Sequence, residues 1–277
     1  MTPEQYCQEK AAASGSSFYY SFLFLPPERR RAITALYAFC REVDDVVDEC
    51  NDPQLAHAKL AWWRMEIAGL FAGNPQHPVT RALAPALAPF GITEERLGEV
   101  ISGMEMDLTQ ARYPDFAALE RYCYHVAGAV GLLAAGIFGY GDPRTLEYAK
   151  SLGTAFQLTN IIRDVGEDAR KNRIYLPMED LTAHGVTADD ILHARHSDAF
   201  VALMRFQAER AKSFFERAFS ALPQADRRAQ RTGLIMAAIY RTLLEEIERD
   251  GFKVLDRRMS LTPLRKLWLA SKTWLAT

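Results

Sequence analysis

The sequence predicts an all-α fold in a single domain spanning residues 1–277. Apolar residues recur at helical spacing along nearly the whole chain, and no window alternates apolar with polar residues as a strand does. The breaks between periodic segments are short Gly, Pro and Asn clusters rather than linkers. Residues 27–49 read as a helix, with Pro27 in its first turn and Ile33, Leu36, Tyr37, Cys40, Val43 and Val47 on one stripe. Residues 54–72 form the next, ended by Gly73, Asn74 and Pro75. Helices over 79–89 and 93–110 follow, the second capped by Thr93 with Glu94 and Glu95 in its first turn. After Tyr113-Pro114-Asp115 come 115–139, 143–169, 187–196, 198–221, 225–249 and 260–275. The one longer irregular stretch is 170–185, and no repeat of 20–50 residues is visible.

Composition narrows the class. A chain of 277 residues with 49% apolar and 25% charged residues can bury a large core. A net charge of −2 gives no reason to expect nucleic acid. Cys7, Cys40, Cys50 and Cys123 form no Cys-x-x-Cys pair, which fits a reducing cytoplasm, and no signal peptide is expected at the N-terminus. The longest apolar run, 126–140, is shorter than the roughly 20 residues a membrane span needs, and it reads as a buried helix.

Two acidic motifs carry the chemistry: Asp44-Asp45-Val46-Val47-Asp48-Glu49, and the stretch from Asn160 to Asp168. Each repeats Asp at a four-residue step, so two carboxylates project from one helix face, with Cβ atoms about 5–6 Å apart. Gln157 and Asn160 extend the second face into a polar stripe among Phe156, Leu158, Ile161 and Ile162. Either motif alone reads equally well as a solvated face or a salt-bridged seam. Two such faces turned together would make a cage of hard oxygen ligands suited to Mg²⁺, which binds a few carboxylates plus substrate phosphates. Four aspartates and a diphosphate of about −3 sum to about −7, and about three Mg²⁺ bring that near −1. Arg41, Arg163, Arg170, Lys171 and Arg173 lie nearby to take phosphate oxygens. Loss of an allylic diphosphate leaves a carbocation, which needs a dry apolar cavity. Phe18, Tyr19, Tyr20, Phe22, Phe24, Tyr37 and the small residues of 126–131 could supply its walls, although ordinary core is the plainer reading of any one of them. Burying a C15 tail would be worth on the order of 10 kcal/mol before costs, at about 0.8 per carbon.

At these residues the chain resembles the squalene/phytoene synthase family. The matching stretches are 17–20 (Ser17, Phe18, Tyr19, Tyr20), 36–45, 122–128 and 157–168. Within the family the likeness is to presqualene diphosphate synthases of bacterial hopanoid pathways, through 18–27, 103–108 and 261–266. The resemblance implies an isoprenoid-synthase-type helical bundle around a central cavity. It implies two or three Mg²⁺ on Asp44, Asp48, Asp164 and Asp168 with Asn160 assisting. It implies that Ser17, Tyr37 and Arg41 hold one diphosphate. Arg163, Tyr240 and either Arg257 or Arg258 would act on the other. Gln157 and Tyr122 would line the coupling site, with Tyr122 or the released diphosphate as base. Some relatives carry His where Ser14 stands, which removes one diphosphate contact, and 170–177 matches a mobile flap.

The implied activity is head-to-head condensation of two farnesyl diphosphates to presqualene diphosphate. Phytoene synthase, acting on two geranylgeranyl diphosphates, is the runner-up. No NADPH is expected, and no Gly-x-Gly-x-x-Gly is present. A non-catalytic prenyl-lipid carrier or assembly factor would be expected to have lost its aspartates. A helical metal phosphohydrolase would be expected to carry a His-Asp pair, which the chain lacks. Expected partners are farnesyl diphosphate and the next pathway enzyme. The basic segment 260–275 reads either as a docked helix or as a peripheral contact with the inner face of the cell membrane.

Overall fold

A computed structural model describes residues 1–13, 21–22, 25–50 and 52–277. Ser17 and the aromatic segment around it (Phe18, Tyr19, Tyr20 and Phe24), with Ser14, lie outside the described residues. The helices are α1 (Pro3–Ala13), α2 (Pro27–Glu49), α3 (Pro53–Phe71), α4 (Pro78–Leu83), α5 (Leu87–Phe90), α6 (Glu94–Thr109), α7 (Phe116–Cys123), α8 (Ala129–Phe138), α9 (Arg144–Arg170), α10 (Met178–Ala183), α11 (Ala188–Leu192), α12 (Asp198–Ala221), α13 (Arg231–Arg249) and α14 (Pro263–Ala276). Among the described residues there is no strand. A single bridge joins Arg112 to Ile174.

The helix starts follow local chemistry. Proline occupies the first turn of α2, α3, α4 and α14, where its missing N–H costs nothing. Asp52 caps α3 by accepting from the Gln54 amide at 2.9 Å, and Thr93 caps α6 by accepting from the Arg96 amide at 3.3 Å.

Two buried apolar clusters organise the bundle. One joins α2, α3, α6 and α8 through Leu36, Phe39, Val43, Leu60, Ile67, Ile101 and Leu133. The other joins α9, α12 and α13 through Leu158, Ile162, Phe200, Phe215, Ile235 and Leu244. Val126 packs against both. The long helices α2 and α9 therefore belong to different clusters, and their polar stripes face the space between them.

Two glycines set how closely the elements approach. A Cβ on Gly153 of α9 would sit 2.4 Å from the Ala127 carbonyl oxygen, so α9 lies directly against 124–128. A Cβ on Gly166 would sit 2.2 Å from the Leu255 carbonyl oxygen, and the Gly166 amide bonds the Val254 carbonyl at 3.2 Å. The segment after α13 is thus laid across α9.

The structure differs from expectation where tertiary contacts override local pattern. The predicted helix 115–139 contains one π turn, Tyr124–Gly128, in the segment pressed against Gly153. The helix expected over 187–196 stops at Leu192, because Ala194 takes a left-handed φ of 52° and Ser197 starts α12. The expected helix 225–249 begins at Arg231. Ahead of it Asp226 accepts from the Gly141 and Asp142 amides and the Thr145 hydroxyl, which holds 224–230 in turns. The stretch 170–185, expected to be irregular, contains α10, fixed by Asp180 accepting from Gln207 and Arg210 at 2.9 and 2.5 Å. Helix α1 was not expected. It docks on α2 through Cys7 and Ala11, with Lys10 paired to Glu42 and Asp45 at 3.0 and 2.8 Å.

Gly166→Ala should push the 250–258 segment off α9 and lower the melting temperature by several degrees, since overpacking against backbone costs about 1–3 kcal/mol. Calorimetry with amide exchange at Val254 and Leu255 would check this, and unchanged protection there would contradict it.

Candidate active site

A cavity of about 680 Å³ opens between α2, α6 and α9. Its walls bring together Asp44 and Asp48 from α2, Asp107 from α6, Asn160, Asp164 and Asp168 from α9, and Tyr122 from α7. Arg41, Arg163, Arg170, Lys171, Arg173 and Arg258 complete the polar wall. A second cavity of about 220 Å³ is apolar and is lined by Phe22, Leu36, Tyr37, Val130, Phe138, Tyr148, Leu152, Phe156 and Met236. The two share Cys40, Val126, Gln157 and Asn160, so the charged space runs into the greasy one.

The carboxylates are not equivalent. Burial pushes Asp44 up to about 6, with Asp48 and Asp107 adding to the shift and Arg41 opposing it. Burial and the neighbouring Asp164 push Asp168 up to about 7. Burial pushes Asp107 up to about 6, although it accepts from the hydroxyls of Tyr122 at 2.9 Å and Tyr175 at 2.7 Å. Asp164 behaves oppositely. Burial alone would raise it, but Arg163 bonds it at 2.7 and 2.5 Å and Arg258 at 2.8 Å, and together they hold it below the ordinary range. Burial raises the Tyr122 phenol well above its usual value, so it stays protonated. Arg41 spans Asp44 at 2.6 Å and Asp45 at 2.5 Å, while Lys171 reaches from the far rim to Asp48 at 2.9 Å.

The donor set fits hard divalent cations. The oxygens are carboxylate and amide, and the side-chain oxygen of Asn160 is buried without a hydrogen-bond partner. Among the described residues no three acidic, His or Cys side chains are grouped closely enough to hold an ion by themselves. Each face offers one or two carboxylates, and the remaining ligands of a Mg²⁺ must come from water and a bound phosphate.

Not every expected residue lies on the wall expected of it. Tyr37 lines the apolar cavity, not the charged one, with its ring 6.1 Å from Phe22. Tyr240 is buried behind the site, its ring 4.6 Å from Phe156 and close to Asn160 and Arg163, and is not among the lining residues. Of the two candidate arginines, Arg257 pairs with Asp250 on the outside and Arg258 enters the site. Gly166 decides this by seating Leu255 on α9, which leaves Arg258 over Asp164. Asp107 went unassigned in the sequence, although it continues the Val100, Gly103 and Met104 stripe of α6, where a carboxylate signals a cavity. The segment expected as a flap sits across the rim through Lys171 and Arg173. It is tied down by the Ile174 amide to the Ala111 carbonyl at 3.0 Å and by Arg112 to Asn172.

Comparison with known proteins bears on family and fold. A sequence profile described as squalene/phytoene synthase matches residues 11–265. A chloroplastic phytoene synthase of Narcissus pseudonarcissus is 35% identical over 268 residues. The match covers 94% of this chain but spans only 63% of that relative's length. The 15-cis-phytoene synthase of Synechocystis is 35% identical over 281 residues, covering 97% of this chain and 83% of its own. Among solved structures, a dehydrosqualene synthase with ligand superposes with a TM-score of 0.87 at 30% identity, covering 99% of this chain and 96% of that one. The squalene synthase HpnC from Alicyclobacillus acidocaldarius gives 0.81 at 29%, covering 90% and 94%.

Asp168→Asn should raise the melting temperature of the metal-free protein at pH 8 by about 2–4 °C, equivalent to ~1 kcal/mol of relieved repulsion. Asp168 titrates near 7 in the folded state, so it is charged at pH 8 and neutral at pH 5.5. The unfolded carboxyl ionises near the ordinary value of about 4, so the gain should shrink as the pH falls from 7, be about half as large at pH 5.5, and vanish near pH 4. A melting temperature that falls at pH 8 would contradict the reading.

Proposed function

Because the chain belongs to the squalene/phytoene synthase family, we propose that it joins two prenyl diphosphates head to head with Mg²⁺, and that the substrate is farnesyl diphosphate and the product presqualene diphosphate. The observation that carries this reading is the shared wall: the carboxylate-lined cavity opens into an apolar one at Cys40, Val126, Gln157 and Asn160. A diphosphate in the first places its C1 carbon at that wall and its tail in the second. Tyr148 and Phe138 among the walls of the tail cavity would limit tail length, which favours the shorter chain. The likeness to dehydrosqualene and squalene synthase structures points the same way. The curated relatives named above are phytoene synthases, so geranylgeranyl diphosphate is the second reading.

Asp44, Asp48, Asp164 and Asp168, with Asn160, would hold the cations; bound Mg²⁺ supplies charge neutralisation and Lewis acidity toward the leaving diphosphate. Arg41 pairs with Asp44 and Asp45, and Arg163 with Asp164. Neutralising those carboxylates releases both guanidinium groups toward phosphate oxygens. Lys171 and Arg173 close the rim. Val126, Phe156 and the tail cavity keep water from the allylic cation. The C2–C3 double bond of the second substrate attacks C1 of the first. A proton then leaves C1 of the attacker as the cyclopropane closes. Tyr122 bonded to Asp107 can take that proton on its oxygen while passing its own to the carboxylate, whose affinity near 6 suits the transfer. The released diphosphate is the other acceptor. No nicotinamide takes part in this scheme.

Incubation with farnesyl or geranylgeranyl diphosphate, with Mg²⁺ or chelator and with or without NADPH, should yield presqualene diphosphate from the C15 substrate, only with metal, and no squalene. Phytoene as the dominant product would select the second reading, and squalene formed only with NADPH would overturn the non-reductive one. Tyr148→Ala should lengthen the tail cavity and raise C20 over C15 turnover by about tenfold, as expected for ~1.4 kcal/mol of altered discrimination. An unchanged ratio would remove Tyr148 as a wall that limits tail length.

A further inference from the structure

The C-terminal helix presents two different faces. Its inner face packs on α13: Leu269 and Ala270 are buried, and the Arg231 guanidinium lies 4.6 Å from the Trp274 ring. Its outer face is apolar yet uncovered among the described residues. Leu264 is 81% exposed, Trp268 58% and Leu275 86%, with Leu267 beside them. At 100° per residue, 264, 267, 268 and 275 fall on one side of a helix. Arg265 and Lys272 run along the edge of this ridge; Arg265 pairs with Glu246 of α13 at 2.7 Å, and the Lys272 ammonium lies 5.0 Å from the Trp268 ring. Across 250–277 there are six Lys or Arg and two Asp; Arg257, Arg258 and Arg265 pair with Asp250, Asp164 and Glu246, which leaves Lys253, Lys266 and Lys272. Docking through the inner face fixes the helix but gives no reason for an outer row of leucine and tryptophan.

We propose that the outer face of α14 is a docking site for the surface of an anionic bilayer. Leu264, Leu267, Trp268 and Leu275 would enter the headgroup boundary, with Lys272 against lipid phosphates. An exposed ridge of leucine and tryptophan edged by the Lys272 ammonium selects this occupant, since it matches a negatively charged interface. Tryptophan favours that depth because its ring is apolar at one end and polar at the other. No described helix is long and apolar enough to cross a membrane, so the contact is peripheral. The charges of Arg163 and Arg258 act on Lys266, which places this helix beside the mouth of the carboxylate-lined cavity. If the prenyl diphosphate reading holds, docking brings that mouth toward the layer in which an amphiphilic substrate collects. The docking itself does not rest on that reading.

The test is co-sedimentation of the full chain, without substrate, on vesicles of phosphatidylcholine alone or with one quarter phosphatidylglycerol, together with tryptophan emission. Binding should be about tenfold tighter to the anionic vesicles, with a blue shift, and should weaken on adding salt. The combined Leu264→Glu, Trp268→Glu and Leu275→Glu substitutions should reduce it by about tenfold or more with an unchanged melting curve. Trp268→Glu alone serves if the triple variant folds poorly. No binding, equal binding to neutral vesicles, or undiminished binding by the variants would overturn the proposal. So would a substitution-sensitive dimer seen by sedimentation without vesicle binding, which would assign the ridge to a second copy of the chain. Because substrate is absent, failure here is distinct from failure of the proposed reaction.

Discussion

Mutual repulsion of carboxylates held in one partly buried space is the constraint on which the rest of the site depends. Asp44 and Asp48 are rooted in one apolar cluster and Asp164 and Asp168 in the other, so the repulsion acts across the seam of the bundle. Two of these acids, with Asp107, are pushed to near neutrality in their proton affinity. In water such a set would separate. Here the two cores hold it in place, and Arg41, Arg163, Arg258, Lys171 and Arg173 offset part of the charge. A site strained in this way is prepared for cations.

On the proposed reading, binding and chemistry are divided between the two cavities. Apolar burial in the smaller one would supply affinity that is indifferent to the reacting carbon. Charge in the larger one would act only where the diphosphate departs. The join is narrow: Cys40, Val126, Gln157 and Asn160 belong to both. The close contact that Gly153 permits with Ala127 sets that join, because it brings the π turn carrying Val126 against α9.

Much of this was legible in the chain. The four-residue recurrence of aspartate is a local property of a helix, so Asp44, Asp48, Asp164 and Asp168 declare their shared faces without tertiary information. The long helices α2, α9 and α12 follow from apolar period and proline placement in the same way. Features fixed by distant contacts were not legible. Helix α10 depends on Arg210 reaching Asp180 from thirty residues on. The choice of Arg258 over Arg257 depends on a backbone crossing at Gly166. The part of Asp107 depends on Tyr122 and Tyr175 arriving from other elements. Its one local signal, an acid on an apolar stripe, was present but was carried only within a family-like segment.

The most direct test of the central claim is Mn²⁺ binding followed by electron paramagnetic resonance, with and without inorganic diphosphate. Among the described residues no three acidic, His or Cys side chains group around one point, so binding of Mn²⁺ alone should be weak, on the order of millimolar. With diphosphate, two or three ions should bind together and far more tightly. Tight Mn²⁺ binding without diphosphate, or diphosphate binding indifferent to metal, would contradict the account.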